Sequence, residues 1–279
     1  MSATVPTGAQ SESDVLDVRA DVWRKRPLLR EIYNRYFAEM LSLLATPENR
    51  FGRCGLILEL GGGSGNFKEY FQRQAVGAVG QGGGGGAGTL ITSDIVPTHH
   101  CDLAADAMAL PFGDESLDNL VMQDVLHHIP YPLRFLAEAQ RTLRRGGRVV
   151  MTEPYISPAS RVVFALAHPE PVVPAARIFG ERGGGDPSPL RGSGAFASNQ
   201  ATPTRLFFRD VAKFQERFPA LKVVARRRRS LFVYPLSGGF SGPQLLPRPL
   251  RRLAWGVEKT LTPLAPLLAF RLVVALEKV

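Results

Sequence analysis

The chain predicts an α/β protein, a largely parallel sheet covered by helices on both faces. Three observations carry that expectation. A buried strand, Leu56–Leu60, ends in the glycine turn Gly61-Gly62-Gly63-Ser64-Gly65 and feeds a helix in which Phe67, Tyr70 and Phe71 recur at helical spacing. Strand-like and helix-like stretches alternate from there to Glu153, the order that builds crossover units around a parallel sheet. The run Leu120-Val121-Met122 is apolar without alternation, as a strand buried on both faces requires.

Length and composition bound the rest. With 279 residues, 44% hydrophobic and 21% charged, the chain suits one large domain rather than two small ones. Residues 1–20 read as a disordered tail by their polar composition, and 21–279 as the domain. The net charge of +9 and the run Arg226-Arg227-Arg228-Arg229 would suit an anionic partner. No zinc-finger spacing or aromatic-studded RNA-binding signature accompanies them, so nucleic acid is disfavoured. Two cysteines, Cys54 and Cys101, form neither a disulfide framework nor a metal-ligand pattern, and no metal is expected. The polar N-terminus lacks a secretory signal, so a cytoplasmic protein is expected. Leu261–Leu276 is interrupted by Pro263, Pro266 and Arg271 and falls short of the roughly 20 residues of a membrane span.

Taken in order, residues 21–50 form a helical cap. Leu29, Ile32, Tyr33, Tyr36, Phe37, Met40, Leu43 and Leu44 make its apolar face, and Pro27 marks a helix start or break. The core, 51–154, begins with the strand Leu56–Leu60 and the helix Phe67–Gln74. Gly77–Gly88 is almost pure glycine and reads as a surface insertion. Leu90–Asp94 is the second strand. The distance from there to Leu103 is too short for a crossover helix, so the third strand must follow economically. Leu117–Gln123 is the fourth strand. Pro132 opens a helix with Leu133, Leu136, Ala139 and Leu143 on one face, Arg141, Arg144 and Arg145 near its end and Gly146-Gly147 as its stop. Arg148–Glu153 is the fifth strand. Ligands of such sheets bind beyond the carboxyl ends of the strands, which puts the glycine turn, Asp94, Asp106, Gln123, Asp124 and Glu153 along one rim.

The glycine spacing narrows the ligand. A dinucleotide fingerprint requires glycine at its sixth position, where Asn66 stands. The pattern present is acidic-x-Gly-x-Gly-x-Gly, with Glu59 two residues ahead of Gly61. A carboxylate there suits a cationic amino group better than a pyrophosphate. This disfavours a nicotinamide-dependent oxidoreductase.

From Ile57 to Glu153 the chain resembles the class I S-adenosylmethionine-dependent methyltransferases of the type 11 subgroup, which includes ubiquinone-type C-methyltransferases and sugar O-methyltransferases. The matching pieces are Glu59-Leu-Gly-Gly-Gly-Ser-Gly65, Asp94, Asp106-Ala107-x-x-Leu110-Pro111-Phe112 with Ser116-Leu117-Asp118, Asp124-Val-Leu-His-His128 and Leu143-Arg-Arg-Gly-Gly147. The resemblance implies a Rossmann-like three-layer sandwich with a seven-stranded, mostly parallel sheet and an antiparallel last strand. It implies S-adenosylmethionine as cofactor, the methionyl part held by Glu59, Gly61, Gly62, Gly63 and Gly65 and its end by Gln123 and Asp124. Asp94 would accept from both ribose hydroxyls, Asp106 from the adenine amino group, and the Ala107 amide would face the ring. Capping of local turns is the other role open to Asp94 and Asp106.

Methyl transfer to a hydroxyl requires a base. His127, His128 and Glu153 are the candidates, supported by similar sugar O-methyltransferases; packing and capping are the histidines' alternative roles. Tyr155 and His168 are further candidates for the acceptor pocket. The acceptor side, 155–279, is more individual. It holds a short helix at Arg161–His168, a loop at Gly180–Gly194, a helix capped by Asp210, a sixth strand Leu221–Ala225 and a last strand Phe270–Leu276. The family pairs these strands as a hairpin, which makes 226–269 an insertion. Leu250, Leu253, Ala254, Val257 and Leu261 form an apolar stripe there, flanked by Arg248, Arg251, Arg252, Trp255 and Lys259. Such a stripe closes a core or lies in an anionic membrane interface. The expected acceptor is a small molecule or a glycolipid, methylated on oxygen, with carbon or nitrogen methylation and a non-catalytic cofactor-binding scaffold as alternatives.

Overall fold

The computed structural model describes residues 12–46, 55–79, 88–180, 187–191 and 197–279. Seven strands form one sheet: β1 (Leu56–Leu60), β2 (Thr89–Asp94), β3 (Leu103–Ala104), β4 (Leu117–Gln123), β5 (Leu143–Pro154), β6 (Leu221–Arg229) and β7 (Arg271–Lys278). Their spatial order is β3-β2-β1-β4-β5-β7-β6, parallel from β3 to β5, with β7 antiparallel to both β5 and β6. The predicted Rossmann-like α/β sandwich and its antiparallel last strand are therefore present.

The sheet's central strands are apolar because they are covered twice. On one face Leu58, Leu120, Met122, Val149 and Met151 pack against α4 (Pro132–Thr142) through Leu133, Leu136 and Ala139. On the other, Ile57, Val121 and Val150 meet Phe67 and Phe71 of α3 (Asn66–Val79) and the aromatic face of α2 (Pro27–Ser42). Pro27 stands at the first position of α2, where its missing N–H costs nothing. β2 passes to β3 without a helix. The connecting loop is fastened by Asp102, whose carboxylate accepts from the Thr92 amide at 2.9 Å and from Lys68 Nζ at 2.8 Å.

Several boundaries differ from the sequence expectation. The N-terminal helix α1 spans Glu12–Lys25, so part of the predicted 1–20 tail is helical; burying Trp23 against Tyr33 and Phe37 anchors it. Residues 1–11 lie outside the described part. Helix α3 continues to Val79, three residues into the predicted glycine insertion, whose residues 80–87 lie outside the described part. Helix α4 ends at Thr142, and β5 starts at once with Leu143 paired to Leu117. Gly146 and Gly147 are thus a bulge within β5 rather than a helix stop. Gly146 has φ +75°, and a Cβ on Gly147 would fall 2.8 Å from the carbonyl oxygens of Arg144 and Asp118.

The chain after β5 comprises α5 (Pro158–Ala167), α6 (Thr202–Thr204), α7 (Val211–Arg217), β6, α8 (Val233–Leu236), α9 (Arg251–Thr260), α10 (Ala265–Leu268) and β7. Much of the predicted 180–194 loop lies outside the described residues. Asp210 precedes α7 but makes no side-chain cap; its carboxylate pairs with Arg205 at 2.5 Å. Strand β6 runs to Arg229, so the insertion starts after the four arginines. Their charges are used internally: Arg227 and Arg229 bind Glu39, Arg228 donates to the Tyr155 hydroxyl at 2.8 Å, and Arg226 donates to the Phe207 carbonyl. Charge on this edge strand also discourages pairing with another chain. The predicted apolar stripe divides between two faces of α9. Ala254 is buried, whereas Leu250, Leu253 and Val257 are exposed. No helix among the described residues is long and apolar enough to cross a membrane.

Candidate active site

The rim at the carboxyl ends of β1, β2, β4 and β5 brings the predicted residues together. After β1 the chain turns through Gly61, Gly63 and Gly65 with φ of +68°, +49° and +75°, a region where a side chain is strained. A Cβ on Gly61 would stand 2.3 Å from Val125 Cγ2, so the close approach of the turns after β1 and β4 depends on glycine. Three amides of the turn bond inward, Gly62 to the Ser93 carbonyl, Gly63 to Asp94 Oδ2 at 2.9 Å and Gly65 to the Gly62 carbonyl. The turn and the acid of β2 therefore support each other.

Glu59 lies beneath this turn, buried, and its Oε2 has no hydrogen-bond partner. Burial pushes its carboxyl up to about 8, with Asp94 and Asp102 adding to the effect and Lys68 opposing it. A buried, unsatisfied carboxylate costs stability, and it fits the cationic amino group of a methionyl ligand. Gln123 adds two more buried, unpartnered atoms, Oε1 and Nε2. Asp124 takes φ +58°; Tyr33 donates to its Oδ2 at 3.0 Å, and Arg271 pairs with Oδ1 at 2.5 Å. Arg271 is itself buried between the rings of Tyr36 and Tyr234. Asp94 also accepts from the Val96 amide at 3.2 Å, and Ile95 between them is exposed. Asp106 accepts from the Met108 amide at 2.8 Å, so one oxygen caps its own turn. Ala107 packs against the core beside it.

The second group of residues gathers around His127. Glu153, fully buried at the end of β5, accepts from the Val125 and Leu126 amides at 2.8 and 2.7 Å through Oε1 and holds His127 Nδ1 at 2.6 Å through Oε2. On the far side of the ring, His127 Nε2 lies 3.2 Å from Glu170 Oε2. Burial opposes the charge on the ring, but Glu153 and Glu170 override it and hold His127 up to about 10. The ring is an imidazolium between two carboxylates. Glu170 is buried too, yet His127 first, then His128 and His168, keep it well below the ordinary carboxylate range.

His128 shares Glu170 with its neighbour, its Nε2 lying 3.7 Å from Oε1, but differs from it in protonation. Its Nδ1 donates to the Ala197 carbonyl at 3.1 Å, which leaves the lone pair on Nε2. Burial first, and the charge on His127 next, push it down to about 4. Two adjacent histidines thus carry opposite protonation, one charged and clamped, the other neutral and more accessible. Nitrogen and oxygen atoms of His127, His128 and Glu170 fall within 4.8 Å of one another, a spacing that a divalent cation accepts. A doubly protonated His127 has no lone pair to give it.

His168 joins the group through Gln200, whose Nε2 lies 2.7 Å from His168 Nδ1 and 3.2 Å from Glu170 Oε2. Tyr155 is instead bound to Arg228. Glu170, Gln200, Arg19, Tyr33 and Arg271 were not among the sequence-derived candidates. Arg19 of α1 pairs with Glu170 at 3.7 Å, and nothing in the local spacing of these five residues signals the site.

Residues 58–151 match the sequence family described as a methyltransferase domain. An uncharacterised methyltransferase of Mycobacterium marinum is 30% identical over 178 residues, covering 59% of this chain and 64% of that protein. One from Mycobacterium avium is 33% identical over 109 residues, covering 38% and 41%. The chain thus spans less than two thirds of the length of these relatives. Among solved structures, the cyclase SpnF superposes over 98% of this chain and 99% of its own, with a TM-score of 0.52 at 13% identity, a likeness of fold. The matched core, residues 58–151, is thus similar to a methyltransferase domain and carries the acidic glycine turn after β1 and the acids of the rim, while β7, reversed against β5, completes the sheet beyond it.

Proposed function

We propose that this protein transfers a methyl group from S-adenosylmethionine to a hydroxyl of a small-molecule or lipid- or sugar-linked acceptor, in the cytoplasm and in peripheral contact with an anionic membrane. The contrast between His127 and His128 carries the reading. A hydroxyl acceptor needs a base with a free lone pair within reach, and the bond from His128 Nδ1 to the Ala197 carbonyl leaves that lone pair on Nε2, 3.7 Å from Glu170 Oε1.

The cofactor, when bound, supplies a methyl group activated by a sulfonium. Glu59 receives its amino group and, in doing so, regains the partner its Oε2 lacks. Gly61, Gly62, Gly63 and Gly65 shape the floor without side chains, and Gln123 and Asp124 border the methionyl end. Asp94 accepts from the ribose hydroxyls, and the exposed Ile95 offers the adenine an apolar surface. Asp106 and Ala107 meet the edge of the base. His128 takes the acceptor's proton on Nε2 as the oxygen gains its methyl group. His127 and Glu153 position the segment that carries His128: Glu153 ties the Val125 and Leu126 amides, and the imidazolium ties Glu153 to Glu170. Most of the acceleration then comes from holding the acceptor in attack geometry.

Calorimetry with S-adenosylmethionine and S-adenosylhomocysteine, followed by radiolabelled methyl transfer to fractionated lipid and small-molecule extracts, tests the proposal. Binding of both ligands and a labelled, base-stable ether product are expected. Binding without transfer to any fraction would favour a cofactor-binding scaffold, and a label on carbon or nitrogen would move the reaction to that class.

A further inference from the structure

Helix α9 is fixed to the body by Ala254 and Trp255, which pack on the core, and by one acid. Arg35 of α2 stacks on Trp255 at 4.0 Å, and the buried Glu258 accepts from the Phe232 and Val233 amides at 3.1 and 2.7 Å. These contacts leave its leucines turned outward. Leu253 is 66% exposed, and Leu250 and Val257 follow it on the same side at helical spacing. The chain continues through Leu264 into α10, where Leu267 is 55% exposed. α10 lies against α5, and α5 turns out Val162 at 58% and Leu166 at 83%. Single exposed leucines need no explanation, but grouped ones mark an interaction surface.

The charges around these side chains indicate what covers them. Arg161 on α5 and Arg248, Arg251, Arg252 and Lys259 around α9 are all cationic, while the only acid in 158–167 and 245–268 is Glu258, whose carboxylate is turned inward. A cleft of about 200 Å³ opens beside Lys259, lined by Arg228, Arg229, Ser230 and Thr262 as well as Glu258. Arg228 and Arg229 are engaged by Tyr155 and Glu39, so of the cations on this cleft Lys259 is the one that stands exposed on α9.

We infer that α5, α9 and α10 form one docking face for an anionic phospholipid bilayer, with Leu253, Val257, Leu264, Leu267, Val162 and Leu166 entering the acyl boundary and Arg161, Arg248, Arg252 and Lys259 meeting the headgroups. A basic amphipathic surface of this kind sinks roughly 5–10 Å into the interface, and each cation adds attraction to anionic lipid. The inner side of α5 connects the face to the site. Phe164 packs edge-on against Phe270 and against His168, and His168 belongs to the Gln200–Glu170 group. A docked bilayer would therefore stand about one helix diameter, roughly 10 Å, from the residues proposed to receive the acceptor. The docking stands apart from the methyl-transfer reading; only the delivery of a lipid-linked acceptor rests on it.

Flotation of the full chain with phosphatidylglycerol–phosphatidylcholine vesicles tests the docking at low and high salt. The wild type is expected to float with these vesicles, to bind pure phosphatidylcholine at least about tenfold more weakly and to be released by salt. Leu253→Glu with Leu267→Glu should lower binding by about tenfold or more, with circular dichroism, thermal midpoint and S-adenosylhomocysteine affinity unchanged. Arg252→Glu with Lys259→Glu should lower it by a similar factor and remove the salt dependence. A wild type that stays in solution at low salt, or leucine variants that float as well as it does, would overturn the docking. So would a wild-type dimer in sedimentation that these leucine substitutions dissociate, since a second copy would then be the cover. Vesicle binding without cofactor affinity would sink the proposed reaction and leave the docking intact; the reverse result would do the opposite.

Discussion

The two halves of the active-site rim are built by different means. On the cofactor side, the acids stand at the ends of β1, β2 and β4, and Asp94 and Asp106 are held by backbone amides a few residues away or one strand across. Around His127, the side proposed for the acceptor, Glu170 and Gln200 reach His127 and His168 from beyond β5, and charge against charge sets the geometry. Local backbone geometry tolerates loss of a side chain better than a buried charge tolerates loss of its partner. Substitutions on the acceptor side should therefore cost more, and measurements on both sides can break that contrast.

The largest effect is expected at His128. His128→Ala should lower turnover about 10²–10⁴-fold while sparing cofactor affinity; equal losses in both would assign the ring a packing role. Glu153→Gln comes next. It leaves the His127 imidazolium with one carboxylate instead of two, a loss of about 3 kcal/mol of stability. The sign with pH can also be checked. His127, held up to about 10 from the ordinary 6.5, contributes stability that is complete below pH 6.5 and lost as pH climbs through about 10. Urea unfolding of the wild type should weaken over that window, and the Glu153→Gln protein should show a smaller decline. A decline of equal size in both would mean that Glu153 does not hold the charge.

On the cofactor side, Asp94→Ala should weaken S-adenosylhomocysteine binding by about 10–100-fold, the worth of one or two hydrogen bonds to a charged acceptor. Unchanged affinity would remove Asp94 from the ribose. The smallest effect concerns Glu59, whose carboxyl is held up to about 8 by burial. Below that value a cationic amino group must displace a proton from it. Affinity should then rise by up to about tenfold per pH unit toward pH 8, with a proton released on binding. Glu59→Gln should flatten the profile, and a flat wild-type profile would contradict the pairing.

The same contrast explains what could be read from the chain alone. Glycines with positive φ and acids that end apolar runs are imposed by the backbone, so Glu59, Gly61 to Gly65, Asp94 and the order of β1 to β5 leave a local pattern. Pro27 and Pro132 likewise mark the starts of α2 and α4 where they stand. Gly146-Gly147 reads as a helix stop because the chain itself does not show that Leu143 already pairs with Leu117. Arg226–Arg229 resembles a free basic run for a similar reason: Glu39 and Tyr155, which absorb much of it, are distant in sequence. Glu170 and Arg271 carry no motif. Only the folded chain brings them to His127 and Asp124.

The Tyr33–Asp124–Arg271 contact has a consequence for the order of folding. It unites the second helix, the middle of the sheet and the start of the last strand at one buried point. Contacts between such distant segments close large loops and form slowly. The glycine turn can take shape early from its own neighbours, whereas the carboxylate beside it gains its cation only when β7 slots between β5 and β6. A chain in which β7 has not yet docked would hold Asp124 without Arg271, so cofactor affinity should mature only after the sheet closes.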